Sequence, residues 1–405
     1  MRRAIVWLLA GLVLCPAAVY AHERFVKHNL KVPLHDEYFR RTPGALLGIN
    51  PNMLRIATLV FVVLAAFTII WFFRQRLDAF VEQVARGRLR GAPQRWLHDL
   101  ASFVMDKPVR LGWFHALGEW AVILFLRSPA LVLMYSATND SLVMPSYPLE
   151  PSSATPFKFI QVVLAILILT QMFLPLSGAL ILGTWLYLFR WGWMVAVDAL
   201  PVVTVAAVYV SSPWQSHKLA ITELNDKQMR AVRLILGFGF TALGWFKLYN
   251  HNLTAGVADN YPWIMNDPLV GFFSFGTDPA FRRENWIVSF GLAEVLSGFM
   301  LMTGIFTRVW CLMMLWVFTK LMLVDFGWDE IPHIYPIGAL LAVMFSNKLE
   351  TEFSRVETLE HQAARGGRPA AQLAVVVASS VAIAFAAIFP LLYLLTYADR
   401  SRLSP

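Results

Sequence analysis

Apolar runs of roughly bilayer length alternate with short polar stretches along nearly the whole chain. After a short apolar start they cover Met53 to Phe73, about His115 to Tyr135, and Phe159 to Leu182, followed by shorter runs from Trp191 to Val197 and from Pro201 to Val210. A tighter packet of four begins near Met229: RAVRLILGFGFTALGWFKLYNH, WIVSFGLAEVLSGFMLMTGIFTR, VWCLMMLWVFTKLMLVD and IPHIYPIGALLAVMF. One more run, Ala371 to Leu395, closes the series. A membrane-crossing helix needs about 17 to 25 apolar residues, and only helices and closed barrels satisfy their backbone polar groups in lipid. The pattern therefore predicts an all-α, polytopic membrane bundle of about ten spans. The short runs before Asp198 and after Pro332 read equally as half-spans dipping into the bundle.

Composition supports a lipid setting: 58% of the residues are hydrophobic, against roughly 45 to 50% in soluble globules. The 15 Trp suit two interfacial belts. A net charge of +8 would fit nucleic acid if it were spread over a polar surface. Here the basic residues fall between apolar runs, the mark of cytoplasmic loops, so no nucleic-acid partner is expected and membrane lipid is. The loop from Arg74 to Arg110 carries Arg74, Arg76, Arg86, Arg88, Arg90, Arg95, Lys107 and Arg110 and is placed inside. Within it Leu77, Phe80, Val81 and Val84 have helical spacing, which predicts a short helix on the inner membrane surface. The stretch TNDSLVMPSYPLEPSSATP, poor in basic residues, is placed outside.

The start, MRRAIVWLLAGLVLCPAAVYA, has the form of a signal peptide with cleavage after Ala21. An uncleaved anchor and a lipoprotein modified at Cys15 are the alternatives, the latter opposed by Leu14. Cleavage leaves Cys311 as the one cysteine, which excludes an intramolecular disulfide, a dithiol relay and a C-x-x-C-H haem site. The expected organisation is a signal peptide (1–21), an exported segment (22–52), a first span with its basic loop (53–110), a degenerate four-helix unit (111–228), a second four-helix unit (229–347), and a cytoplasmic linker with a last span (348–405). The two tandem units share Leu-Ser-Gly in their second helices and the endings MVAVD at Asp198 and LMLVD at Asp325. Both units start and finish inside, so an internal repeat would be related by an axis along the membrane normal.

Charges inside the second unit include Arg230 and Arg233 opening its first helix, Lys247 ending it, Glu294 mid-way in the second, Thr307-Arg308 at a turn, and Asp325 closing the third. An ionisable group at membrane depth costs roughly 2.5 to 3.5 kcal/mol unless paired or hydrated, so each is a candidate for function. This arrangement, with Arg233, Gly244 to Lys247, Glu294 to Gly298 and Gly304 to Arg308, resembles the DoxX/DoxD-like family of four-helix membrane proteins. The resemblance covers about residues 229–347. It implies an inner-membrane subunit of an oxidoreductase system, with quinone as a cofactor and a periplasmic protein partner, docked here on the 250 to 285 loop.

Glu294 is the leading candidate. Desolvation would keep its carboxyl neutral, able to carry a proton or to hydrogen-bond a quinone carbonyl. The structural alternative is a pair with Lys247, Arg233 or a backbone group. At that depth the first unit offers Gln171 or Leu174. Toward the outer rim, Asp325 and His333 are candidates for cofactor binding, and Asp329 and His333, four apart, would share a helix face. Cleavage after Ala21 would expose the amine and imidazole of His22, a bidentate copper site completed by His28 or His35 that resembles a histidine brace. The alternative there is a polar spacer. His115 and Glu119, also four apart, are expected to satisfy each other. Phosphate-binding loops and nucleophile elbows are absent from the sequence, which leaves two rival functions: a non-catalytic scaffold or assembly factor, and a copper-handling transporter.

Overall fold

The computed structural model describes residues 92–109, 111–142, 149, 151–189, 196–197, 199–213, 221–249, 282–319 and 333–349. Within these residues the regular structure is helical: α1 Ala92–Val104, α2 Gly112–Thr138, α3 Pro151–Thr170, α4 Leu174–Leu188, α5 Leu200–Val210, α6 Asp226–Tyr249, α7 Arg282–Thr303, α8 Thr307–Val317 and α9 Ile334–Met344. Among them α2 is long and apolar enough to cross a bilayer; α4, α5, α8 and α9 are shorter apolar helices. The expected spans at Met53–Phe73 and Ala371–Leu395, the helix at 77–84 and most of the run 191–197 lie outside the described residues.

One expectation is corrected. The run from Phe159 to Leu182 is not a single helix. It breaks at Gln171–Phe173, where Gln171 and Phe173 take left-handed backbone angles (φ 54° and 50°), and the chain reverses into α4. Nothing in TQMFLPLSG interrupts the apolar run except Pro175, which suits the first turn of a new helix because its missing N–H had no partner to lose. The third helix of the first half is therefore α4, and Trp191–Val197 is not needed for that role.

The same turn recurs between α7 and α8. Thr170 and Thr303 each donate their hydroxyl to carbonyls three and four residues back. Gln171 and Gly304 follow with positive φ, and Phe173 and Phe306 precede the next helix in the left-handed region. This register pairs position 171 with 304, and hence Gln161 with Glu294. It replaces the Leu-Ser-Gly alignment and its choice of Gln171 or Leu174. Gln161 is as buried as Glu294 and donates to the Ser141 carbonyl at 2.8 Å.

Packing follows the same scheme in both halves. α2 lies against α3 as α6 lies against α7, and α4 against α5 as α8 against α9. The fourth helix of each half then packs on the first helix of the other, α5 on α6 and α9 on α2. One apolar core runs through both sets, from Phe125, Leu164 and Tyr209 to Leu236, Met314 and Leu340.

α2 carries Pro129 in its interior, which cannot donate to the preceding turn. The Phe125 carbonyl that Pro129 leaves without its helical donor accepts Ser128 Oγ at 3.1 Å, and the neighbouring Leu126 O accepts Tyr209 Oη of α5 at 2.6 Å. α6 opens with a reciprocal capping box, Asn225 N–H to Gln228 Oε1 at 3.1 Å and Gln228 N–H to Asn225 Oδ1 at 3.0 Å. The Gln228 amide also donates to Val208 O, tying the end of α5 to the start of α6.

Candidate functional site

Two polar features stand inside the bundle. The first is the seam between α6 and α7, which run antiparallel with their backbones in contact. A Cβ at Gly244 would lie 2.6 Å from Gly291 O, 2.7 Å from Val295 N and 2.9 Å from Glu294 Cβ; one at Gly237 would lie 2.6 Å from Gly298 O. A Cβ at Gly298 would collide with Gly237 and Thr241. Close approach through small residues lets two helices gain dispersion contacts along their length. Glu294 sits in this seam, 2% exposed, facing the gap that Gly244 leaves.

That register decides one pairing. Gly244 stands eleven positions, about 16 Å of helix rise, from Arg233, so Arg233 is not placed beside Glu294. It is buried instead near the α7–α8 end, where its charge and those of Asp106 and Arg308 all act on Cys311. Cys311 is a free, fully buried thiol. Lys247 follows Gly244 by three residues on α6; its side chain lies outside the described residues, as do Asp325, Asp329, His22, His28 and His35. His333 precedes α9 with its ring 5.4 Å from that of Phe318. His115 and Glu119 approach to 3.5 Å, the mutual satisfaction that their spacing predicts. No group of three or more His, Cys, Asp or Glu able to hold a metal ion is found among the described residues.

The second feature is centred on Arg308, which sequence reasoning placed in a turn without giving it a role. Its side chain is fully buried, and all five guanidinium N–H groups have acceptors. Nε donates to Met344 O at 3.1 Å. Nη1 donates to Ser102 O at 3.1 Å and Lys107 O at 2.6 Å. Nη2 donates to Ser346 O at 2.6 Å and Asn347 Oδ1 at 3.3 Å. Four of these acceptors are backbone carbonyls: Ser102 O and Met344 O in the last turns of α1 and α9, and Lys107 O and Ser346 O just beyond those helices. The rings of Phe103 and Phe114 lie 5.8 and 5.2 Å from the guanidinium carbon.

Asp106 completes the arrangement from the other side. Its carboxylate accepts the amides of Thr307 at 2.6 Å and Arg308 at 2.9 Å, capping α8 from a segment some two hundred residues away. Burial pushes the Asp106 carboxyl above its ordinary range, against the pull of those two amides and the Arg308 charge. The first half meets the same need differently: Pro175 at the start of α4 has no amide to cap. Asn347 adds a two-way bond with the Val109 backbone, and Lys348 reaches Leu224 O at 3.0 Å and Glu223 at 2.8 Å. Residues from α1, α2, α6, α8 and α9 thus meet at one end of the bundle.

No family model, curated protein or solved structure matches this chain.

Proposed function

We propose that the chain is a multi-pass protein of the bacterial inner membrane, with about ten spans after removal of the signal peptide, and that it serves as the membrane subunit of an oxidoreductase system. In this reading the end of the bundle held by Arg308 faces the cytoplasm. Basic residues Lys107, Lys227, Arg230 and Lys348 gather there, as the positive-inside rule requires. Glu294 is the working group: its carboxyl, in the neutral form, donates a hydrogen bond to a quinone carbonyl. The DoxX/DoxD-like resemblance supplies the class of partner.

The observation that carries the reading is the burial of Glu294 in a seam where glycines at 244 and 298 hold the two backbones together. The test is quinone content. Protein purified in mild detergent and extracted with organic solvent should yield bound quinone, which Glu294→Ala removes and Glu294→Gln, still a donor, partly keeps. Equal quinone in wild type and Glu294→Ala overturns the role of Glu294. Wild-type protein without quinone favours the scaffold reading instead. Arg308 is the observation behind that second reading, since every donor of the most elaborate polar group is spent on holding helices.

A further inference from the structure

α1 has a place in the fold that neither the quinone reading nor the span count uses. Its sequence, APQRWLHDLASFV, puts Trp96, Leu100 and Val104 four residues apart, on one stripe of the helix. All three are exposed, at 63%, 43% and 36%. The opposite side is the bound one: Ser102 is buried, and its carbonyl is held by Arg308. α1 is about 20 Å long and is pinned through its C-terminal turn at the level where α2 and α8 begin and α9 ends. At that level α2 exposes Trp113 and Leu117, and α8 exposes Leu312 one turn in.

We infer that α1 is an in-plane anchor whose Trp96–Leu100–Val104 stripe beds into the anionic inner leaflet of the membrane that the bundle crosses. The inference rests on the membrane reading above. Two observations choose lipid as the occupant. At the same end of the bundle α2 exposes Trp113 and Leu117 and α8 exposes Leu312, beside the exposed His115–Glu119 pair. The sequence around it is also strongly basic: Arg86, Arg88, Arg90 and Arg95 precede the stripe and Lys107 and Arg110 follow it. The acidic residues from 86 to 110 are Asp99 and Asp106, and Asp106 is buried against α8. An amphipathic helix with Trp and Leu on one side and basic flanks lies about 5 to 10 Å into the headgroup and acyl boundary, and each cation near an anionic surface adds attraction.

Spin labels report the depth directly. Leu100→Cys and Leu312→Cys are made separately in a Cys15→Ser background, Cys311 being buried. The full-length protein is labelled and placed in nanodiscs of phosphatidylcholine with or without phosphatidylglycerol. Collision with oxygen, which partitions into lipid, is compared with collision with a water-soluble nickel chelate. The expected result is several-fold more oxygen than nickel collision at both positions in the anionic discs, with nickel access at position 100 rising when phosphatidylglycerol is omitted or when Arg88→Gln and Arg90→Gln are added. Lipid at 312 with water at 100 overturns the anchor and leaves the membrane reading standing; water at both overturns both. A lipid-like signal at 100 that ignores phosphatidylglycerol overturns the anionic leaflet as partner.

Discussion

Arg308 shows how one side chain can be spent entirely on structure. A guanidinium buried among apolar helices is costly unless every proton has an acceptor and its charge a counterpart, and here five acceptors and the nearby Asp106 meet both needs. Lysine offers three donors in place of a planar five-donor fork, so Arg308→Lys leaves helix-end carbonyls bare. We expect Arg308→Met, which also strands the Asp106 carboxylate, to cost about 3 to 5 kcal/mol. Arg308→Lys should fall between it and wild type. Asp106→Ala, which removes the cap on α8, should cost about 1 to 2 kcal/mol. Thermal unfolding in detergent, followed by the far-ultraviolet helix signal, ranks the three. Arg308 and Thr307 were visible in the sequence as a polar turn, but Asp106 was not: a single Asp in a basic loop carries no local sign that it caps a helix two hundred residues further on. Glu294 was legible because a carboxyl in a long apolar run stands out by itself.

At the scale of elements, the informative contrast is between the two Thr-x-x-Phe turns. The second was readable, since Gly304 supplies a positive φ without strain and Thr307-Arg308 add polarity. The first was not, because Gln171 and Phe173 adopt left-handed angles that no residue type there advertises, and the apolar run continues through them. The side-chain amide of Gln171 offers a reason for its fixed place: Oε1 accepts the Ile221 amide at 3.0 Å. Helix pairing has its own signature. Gly237, Gly244 and Gly298 bring α6 and α7 into backbone contact, and the spacing of the first two by seven residues keeps them on one face. Gly298→Leu should force the pair apart and expose Glu294, lowering the unfolding temperature well beyond the effect of Gly183→Leu, where no atom lies within 4 Å of an added Cβ. Equal losses from the two substitutions would contradict a tight α6–α7 seam. On α2, Tyr209→Phe leaves Leu126 O without its 2.6 Å partner beside Pro129, a loss of about 1 to 3 kcal/mol readable in the same melting experiment.

Taken whole, the molecule repeats one packing scheme twice, with the fourth helix of each half closing on the first helix of the other. The apolar periodicity foreshadowed helices and their approximate ends, and α5 falls almost where the run from Pro201 to Val210 placed it. It could not supply the register between halves. Leu-Ser-Gly is a common packing triplet, and aligning on it set Glu294 against Gln171 or Leu174, whereas the turn geometry sets it against Gln161. The halves also differ at this matched position: Gln161 hydrogen-bonds the Ser141 carbonyl, while its counterpart is the buried carboxyl of Glu294. A central claim joins these levels, that the bundle crosses the membrane with the Arg308 end inside. Single cysteines at exposed positions on opposite ends test it: Thr222→Cys near the start of α6 and Thr138→Cys at the end of α2, each labelled with a membrane-impermeant maleimide on intact spheroplasts and again after permeabilisation. A spanning bundle predicts labelling of Thr138→Cys in both conditions and of Thr222→Cys only after permeabilisation. Labelling of Thr222→Cys on intact spheroplasts, or identical behaviour of the two positions, would contradict it.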